Sequence, residues 1–537
     1  MIIGLRLDEN AFEQDIRELL MAFYPGAAFV HGRQEEAEQL AAEKGTAGLD
    51  LMVTGRFLEE MQYELKVERL GNRAGEAAVS DHEMEQVAQR RQELSEDASP
   101  VIQKGLEAAR ENLPFQINRD DRTETKNKIK RRLYFLLVLD TGHQLPWGAL
   151  TGIRPVKIPE GKLAEGWEED QIVSYMEEHY LTGEKKRKLS LEIAREERRL
   201  LHTLDYQKGW SLYVGIPFCP TTCLYCSFTS YPVAKWSGRL EEYLDILEQE
   251  LVITRDSVGD RKELQTIYVG GGTPTSLPEP QLARLMDMIC STFDFSGVKE
   301  FTVEAGRPDS ITEEKLRILK EHGVSRISIN PQSMNQKTLD LIGRRHTVEQ
   351  VMEVFWMARQ AGFDNINMDI ILGLPGELKE EVTHTLDTIH KLGPESLTVH
   401  CLALKRAARL NLEKDRYAGY PMASGQLIDE LVELAAEEAR SMDMAPYYLY
   451  RQKNMAGNLE NVGYASGNKA CLYNILMMEE KHTVIGCGAG TTTKVVIPSE
   501  NRVERLENIK NIQDYLPRYQ EVLEKKRRFL TEMIGRA

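Results

Sequence analysis

The sequence predicts an α/β protein built around a parallel sheet, and three observations lead there. Between residues 211 and 404 six apolar, strand-like runs recur: Leu212–Ile216, Thr266–Val269, Glu300–Glu304, Arg326–Asn330, Ile366–Ile371 and Leu397–Leu404. Amphipathic helical stretches separate them at Arg239–Thr254, Glu279–Thr292, Glu313–His322, Val348–Ala361 and Lys379–Leu392. Strand then helix, repeated about six times, demands crossover connections and hence parallel pairing. Such a sheet carries its site at the carboxyl ends of its strands, and residues of chemical interest fall there. A cysteine-rich loop follows the first strand and Gly270-Gly271-Gly272-Thr273-Pro274 the second. Glu304 ends the third, Asn330-Pro331-Gln332-Ser333 follows the fourth, and Asp369 lies near the end of the fifth.

The flanking regions read differently. Residues 1–140 contain no cysteine. Phe12, Ile16, Leu19, Leu20 and Phe23 mark an amphipathic helix. Strand-like runs follow at Leu51–Phe57, Met61–Val67 and Leu133–Leu139, around a polar helical stretch from Asp81 to Glu111. The expectation is a small N-terminal α/β domain. Residues 141–205 read as a helical connector, in which Lys185-Lys186-Arg187-Lys188 is a solvated helix face. The repeating core occupies 206–405. In residues 406–537 the alternation is lost: a helix is expected over about Gly425–Ser441, then the aromatic run Pro446–Gln452, the glycine-rich Ile485–Gly490, and a charged helical tail from Val503.

Bulk properties exclude several classes. A chain of 537 residues holds several domains. Hydrophobic content of 42% and charged content of 28% are ordinary for a soluble globular protein. A net charge of −16 argues against phosphate-backbone binding, so no nucleic acid partner is expected. The longest strongly apolar run, Leu133–Leu139, is too short to cross a bilayer. Met1–Asp8 lacks the layout of a signal peptide, and the seven cysteines are odd in number and uneven in spacing. Together these suggest a reducing, cytoplasmic location without stable membrane insertion.

Cys219, Cys223 and Cys226 are spaced C-x3-C-x2-C. Three thiolates on one short loop can each bind one iron of a [4Fe–4S] cubane and leave the fourth iron open to a chelating small molecule. The alternative is zinc, which prefers four ligands, usually in two separated pairs. No second Cys/His pair of matching spacing follows, but the residues alone leave both readings standing. A strand-end carboxylate such as Glu304 or Asp369 is equally a helix cap or an ion-pair partner.

The cysteine triad after the first strand of a six-fold β/α repeat resembles the radical S-adenosylmethionine (SAM) superfamily. The Gly270–Pro274 run resembles that superfamily's glycine motif. Tyr213–Cys219, Thr302–Ala305, Ile342–His346 and Asn367–Pro375 look like its oxygen-independent coproporphyrinogen III oxidase branch. Longer landmarks look like the HemZ-type subgroup: Thr151–Pro155, Ala305–Asp309, Ser328–Ser333, Glu395–His400, Tyr447–Gln452 and Gly457–Tyr464. The resemblance implies a partial (β/α)6 TIM-type barrel, with residues 406–537 as a mainly helical or mixed C-terminal domain.

It also implies site roles. Cys219, Cys223 and Cys226 bind a [4Fe–4S] cluster, with Tyr213 beside it. Gly271, Gly272 and Thr273 line the SAM site, and Glu304, Gln332, Arg344 and Asp369 contact SAM through its polar groups. The implied reaction turns two propionates of coproporphyrinogen III into vinyl groups through a 5′-deoxyadenosyl radical, with an electron donor such as flavodoxin or ferredoxin. Arg154, Arg406 and Arg451 are candidates to hold the substrate carboxylates, although each is equally a surface arginine with a packed stem.

Two positions depart from the oxidase pattern. Ser227 and Phe228 follow the triad where the best-known oxidases place a fourth cysteine, and Phe228 is more like the haem-trafficking chaperones. Gly215 stands where both groups usually carry histidine. The chaperones' His-Asn-x-x-Tyr-Trp segment has no clear counterpart in Tyr447–Tyr450. A haem carrier on the same scaffold, or an enzyme for another tetrapyrrole, are the alternatives.

Overall fold

The structure, a computed structural model, describes residues 1–31, 49–58, 61–70, 98–226, 230–403, 408–413, 417, 419–421, 423–452 and 459–537. The chain forms two compact units, Met1–Glu192 with Arg451–Asn454, and Ile193–Tyr450 with Met455–Ala537.

The first unit holds a five-stranded sheet of β1 (Ile2–Leu7), β2 (Ala28–His31), β3 (Leu51–Leu58), β4 (Gln62–Arg69) and β5 (Phe115–Gln116), ordered β2-β1-β3-β4-β5. β1 runs parallel to β2 and β3, while β4 is antiparallel to both its neighbours. The expected amphipathic helix is present at Glu13–Phe23 and buries Ile16, Leu19 and Leu20 in the core.

The apolar run Leu133–Leu139 is not a strand. It lies inside the helix Arg122–Thr141. A short apolar run cannot by periodicity be told from a buried helix segment, and here the ends decide. The Asp121 carboxylate accepts from the Glu124 amide at 2.9 Å, and Gly142 closes the helix with φ +64°. Part of the expected Asp81–Glu111 helix lies outside the described residues; the rest is the helix Pro100–Arg110. The basic run at 185–188 is only half solvated, because Lys186 and Arg187 are 3% and 8% exposed and Arg187 is ion-paired with Glu177.

The second unit is built on one eleven-stranded sheet. Its centre is β6 (Gly209–Ile216). The two-residue strands β7 (Phe218–Cys219) and β8 (Tyr231–Pro232) pair with each other and bracket the cysteine loop. Then come β9 (Glu263–Gly271), β10 (Glu300–Gly306), β11 (Arg326–Gln332), β12 (Ile366–Leu372) and β13 (Ser396–Cys401). The strands β6, β9, β10, β11, β12 and β13 are parallel neighbours in that order. The helices Leu240–Val258, Glu279–Thr292, Glu313–Glu321, Val348–Gln360 and Lys379–Leu392 connect them. This is a partial (β/α)6 barrel.

The C-terminal residues are less helical than their composition suggests, because they extend this same sheet at both ends. β14 (Met444–Tyr450) and β15 (Asn461–Ser466) add antiparallel beside β13. β16 (Thr483–Cys487) adds parallel beside β6, followed by β17 (Thr492–Ile497) and β18 (Arg502–Glu507). The tail expected to be helical from Val503 therefore begins as a strand. Its helix, Tyr519–Ile534, packs on Leu240–Val258. Among the described residues no helix is long and apolar enough to cross a membrane.

A buried ion pair pins that last helix. Lys526 Nζ and Glu250 Oε1 are 2.6 Å apart with both side chains 0% exposed. The Glu250 carboxylate also accepts from Gly488 N (2.7 Å), Asn508 Nδ2 (2.6 Å) and Tyr515 Oη (2.8 Å). Removing one partner strands a charge in the interior. Lys526→Met should therefore destabilise this unit by about 3–5 kcal/mol, read as a lower midpoint in urea unfolding. The double variant Lys526→Met/Glu250→Leu should recover only part of the loss, because Gly488 N, Asn508 Nδ2 and Tyr515 Oη then lose their acceptor.

Candidate active site

β6 and β9 pair so that Gly215 faces Gly270 and Ile216 faces Gly271. Past that register the two chains stay stitched: Gly272 N donates to Ile216 O at 2.8 Å, and Thr273 N to Phe218 O at 2.7 Å. The glycine turn and the cysteine loop therefore leave the sheet side by side. Gly271 has φ +107°, a region L side chains rarely adopt. A Cβ on Gly272 would sit 2.5 Å from Phe218 O, and one on Gly270 would sit 2.9 Å from the Glu304 carboxyl carbon.

The loop itself is held from several directions. Leu224 N donates to Ile342 O (2.9 Å), Leu410 N to Leu224 O (3.0 Å), and Tyr231 N to Pro217 O (2.8 Å). All three cysteines are free thiols, with Cys223 buried and Cys219 and Cys226 half-buried. Burial, reinforced by the neighbouring thiols Cys226 and Cys223, pushes the Cys219 thiol up to about 11 against the opposing donation from Thr273. Taking up iron must displace that proton. Among the described residues no three His, Cys, Asp or Glu side chains converge on a single metal ion. A cubane spreads its protein thiolates over separate irons, and three thiols on one loop are the donor type it takes. Ser227, Phe228 and Thr229 lie outside the described residues.

Polar side chains continue around the same strand ends. Tyr268 Oη donates to Glu304 Oε1 at 2.6 Å. Burial pushes the Glu304 carboxyl up to about 7; the Asp369 charge adds to it, while donation from Tyr268 and the Gly271 amide opposes it. Asp369 moves the other way. Burial would raise it, but His400, Asn367 and Thr398 together hold it below the usual carboxylate range. Asn367 Nδ2 is 2.6 Å from Asp369 Oδ1, and His400 Nε2 is 3.8 Å from Asp369 Oδ2. Two buried carboxylates that feel each other's charge are thus pushed apart in acidity.

Gln332 ends β11 with φ +69°, a strained position for a residue with a side chain, and its buried Oε1 has no hydrogen-bond partner. Arg344 is 4% exposed; Nη1 donates to Tyr225 Oη at 3.1 Å, Nη2 donates to Asn330 O, and Nε has no partner. Gln332 Oε1 and Arg344 Nε are thus a buried acceptor and a buried donor without partners, of the kind a polar ligand can satisfy. Tyr213 stacks on Tyr268 and Tyr473 with ring centroids 6.0 Å away in each case. Burial, then the Glu304 charge, raises its phenol.

Some sequence expectations find other employment. Arg451 is 4% exposed, gives Nη1 to Leu150 O at 2.6 Å, and lies 5.5 Å from the Trp147 ring, so it clamps the Trp147–Gly152 turn. Arg154 is half-buried in the first unit, and Arg406 lies outside the described residues. The structure also explains Gly215. A Cβ there would sit 2.5 Å from Thr491 Cγ2, and Tyr243 Oη donates to Gly215 O at 2.6 Å. The segment after β16 occupies the space a histidine would need.

Sequence reading passed over Tyr268, Tyr225, His400 and Arg307. Tyr225 lies in the cysteine loop and Arg307 just past β10, where placement was an available signal; Tyr268 and His400 lie inside β9 and β13.

Gly272→Ala should lower thermal stability by about 1–3 kcal/mol, because the new methyl meets carbonyl oxygens that cannot swing away. Gly152→Ala, where a Cβ meets nothing within 4 Å, is the matched control.

Comparison with known proteins follows the same lines. The Radical SAM superfamily model matches residues 213–389. The oxygen-independent coproporphyrinogen-III oxidase-like protein HemZ of Bacillus subtilis (strain 168) is 40% identical over 415 residues, covering 76% of this chain and 82% of that protein. The heme chaperone HemW of the same organism is 43% identical over 196 residues, covering 36% of this chain and 51% of that protein. The solved structure of coproporphyrinogen III oxidase (HemN) from Escherichia coli, a radical SAM enzyme, aligns with a TM-score of 0.47 at 22% identity, covering 59% of this chain and 71% of that one. The chain thus belongs to the radical SAM superfamily, in the HemZ-type group of its oxygen-independent coproporphyrinogen III oxidase branch, whose cofactors are a [4Fe–4S] cluster and SAM.

Proposed function

We propose that this chain is a coproporphyrinogen dehydrogenase, converting two propionates of coproporphyrinogen III to vinyl groups and so yielding protoporphyrinogen IX. The observation that carries the reading is extent. Likeness to the oxidase-like relative runs over 76% of the chain at 40% identity, whereas likeness to haem chaperones covers 36% at 43% identity or 57% at 28%.

Cys219, Cys223 and Cys226 hold the cluster. When bound, the reduced cluster and SAM supply a 5′-deoxyadenosyl radical for hydrogen abstraction from a propionate. The protein's share is placement. Gly271 and Gly272 carry no side chain, so the backbone there admits SAM closely, with Thr273 next to them. Glu304 and Asp369 take its amine and hydroxyl groups, Arg344 its carboxylate, and Gln332 a remaining donor. Tyr213, stacked on Glu304's partner Tyr268, sits beside the cluster. Loss of carbon dioxide, with one electron passed to an external one-electron acceptor, completes each vinyl group. A flavodoxin or ferredoxin supplies reducing electrons.

The core's 43% identity to a heme chaperone favours a second reading, a haem carrier on the same scaffold. Anaerobically reconstituted protein should be incubated with SAM, a reductant, coproporphyrinogen III and a cell extract as acceptor source. Mass spectrometry should find 5′-deoxyadenosine together with loss of two carboxyl groups. SAM cleavage with untouched porphyrinogen would point to another tetrapyrrole substrate; tight haem binding with a shifted Soret band and no turnover would establish the carrier.

SAM affinity should depend on Glu304 ionisation. The carboxylate form predominates above pH 7, so affinity should fall by up to about tenfold per pH unit below it. In Glu304→Gln this part of the pH dependence should vanish, as equilibrium binding between pH 6 and 8 would show.

A further inference from the structure

Each sulfur of the triad has a polar group beside it. Thr273 Oγ1 is 3.5 Å from Cys219 Sγ, Ser230 Oγ is 3.9 Å from Cys226 Sγ, and Arg307 Nη1 is 3.9 Å from Cys223 Sγ. Arg307 is the charged member of that set. It stands just past β10 and is 3% exposed.

Its guanidinium is fixed on two sides. Nη1 donates to Thr221 O at 3.1 Å and Thr221 Oγ1 at 2.5 Å, gripping the cysteine loop two residues before Cys223. Nε and Nη2 fork onto Asp309 at 2.9 and 2.6 Å. Asp309 in turn faces His346 Nδ1 at 3.9 Å. Burial would raise the Asp309 carboxyl, but donation and charge from Arg307 hold it down. His346 is 0% exposed and burial pushes it down to about 3, so it brings no charge. The local balance is therefore two buried cations, Arg307 and Arg344, offset by one carboxylate, with Arg307 the one against the Cys223 sulfur and Asp309 forked onto it.

We infer that Arg307 is a positioning residue that sets the reduction potential of the cluster bound by Cys223, and that Asp309 moderates it. The inference rests on the cysteine ligation proposed above. Reduction adds an electron to the cluster. A buried cation against a ligand sulfur stabilises the reduced form, and a carboxylate behind that cation weakens the effect.

Full-length protein should be reconstituted anaerobically, with iron and sulfide counted and the potential read by EPR-monitored redox titration. Arg307→Met with a full cluster should titrate at a more negative potential than wild type, and Asp309→Asn at a less negative one. Arg307→Lys should lie between Met and wild type, since it keeps the charge and loses the fork. Opposite shifts in Arg307→Met and Asp309→Asn are not expected of a purely structural tether. Full clusters with unchanged potentials in both variants would overturn the inference. Should Arg307→Met fail to load iron, Asp309→Asn decides alone, by a rise or by no change. Cys223→Ala tests the underlying ligation separately. Wild-type iron and sulfide retained in that variant would sink the ligation itself, a result distinct from an unshifted potential.

Discussion

The site depends above all on the parallel register between β6 and β9. Pairing Ile216 with Gly271 lets the two chains continue hydrogen bonding beyond the sheet, through Gly272 to Ile216 and Thr273 to Phe218. That continuation holds the cysteine loop against the glycine turn. It works only if the turn carries no side chains, since a methyl at Gly272 would meet Phe218 O. A one-residue slip of β9 would turn its side chains to the opposite face and take Tyr268 away from Tyr213 and Glu304.

Around that backbone the polar groups are arranged in opposed pairs. Glu304 is driven toward neutrality while Asp369 stays ionised among His400, Asn367 and Thr398. Arg344 and Gln332 keep buried atoms without partners. Orphaned polar atoms cost free energy in a folded protein. A polar ligand would satisfy the two at Gln332 and Arg344, and the positive φ of Gln332 is strain of the kind binding sites hold.

The C-terminal segment closes the other flank. β16 lies beside β6, and the turn that follows fills the space next to Gly215. The buried Glu250 network then ties the last helix to the helix Leu240–Val258. One departure from the oxidase pattern, glycine for histidine at 215, is thus a packing consequence of where β16 sits.

Much was legible beforehand because it depends on local period and spacing. Six apolar runs separated by amphipathic helices specify parallel crossovers, and the cysteine spacing with the glycine turn specifies a thiolate site at the first two strand ends. Patterns short of a full period misled: Leu133–Leu139 suits a strand or a buried helix, and the caps at Asp121 and Gly142 chose the helix. Charge alone misled as well, at Lys186, Arg187 and Arg451, because a long cationic side chain can lie in solvent or be folded in against carbonyls. What tertiary structure alone decided is which distant groups meet. Arg307 beside Cys223, Tyr268 on Glu304, Thr491 against Gly215 and Lys526 on Glu250 join residues far apart in sequence. No local pattern encodes such pairs, since they form only when the strands have taken their order in the sheet.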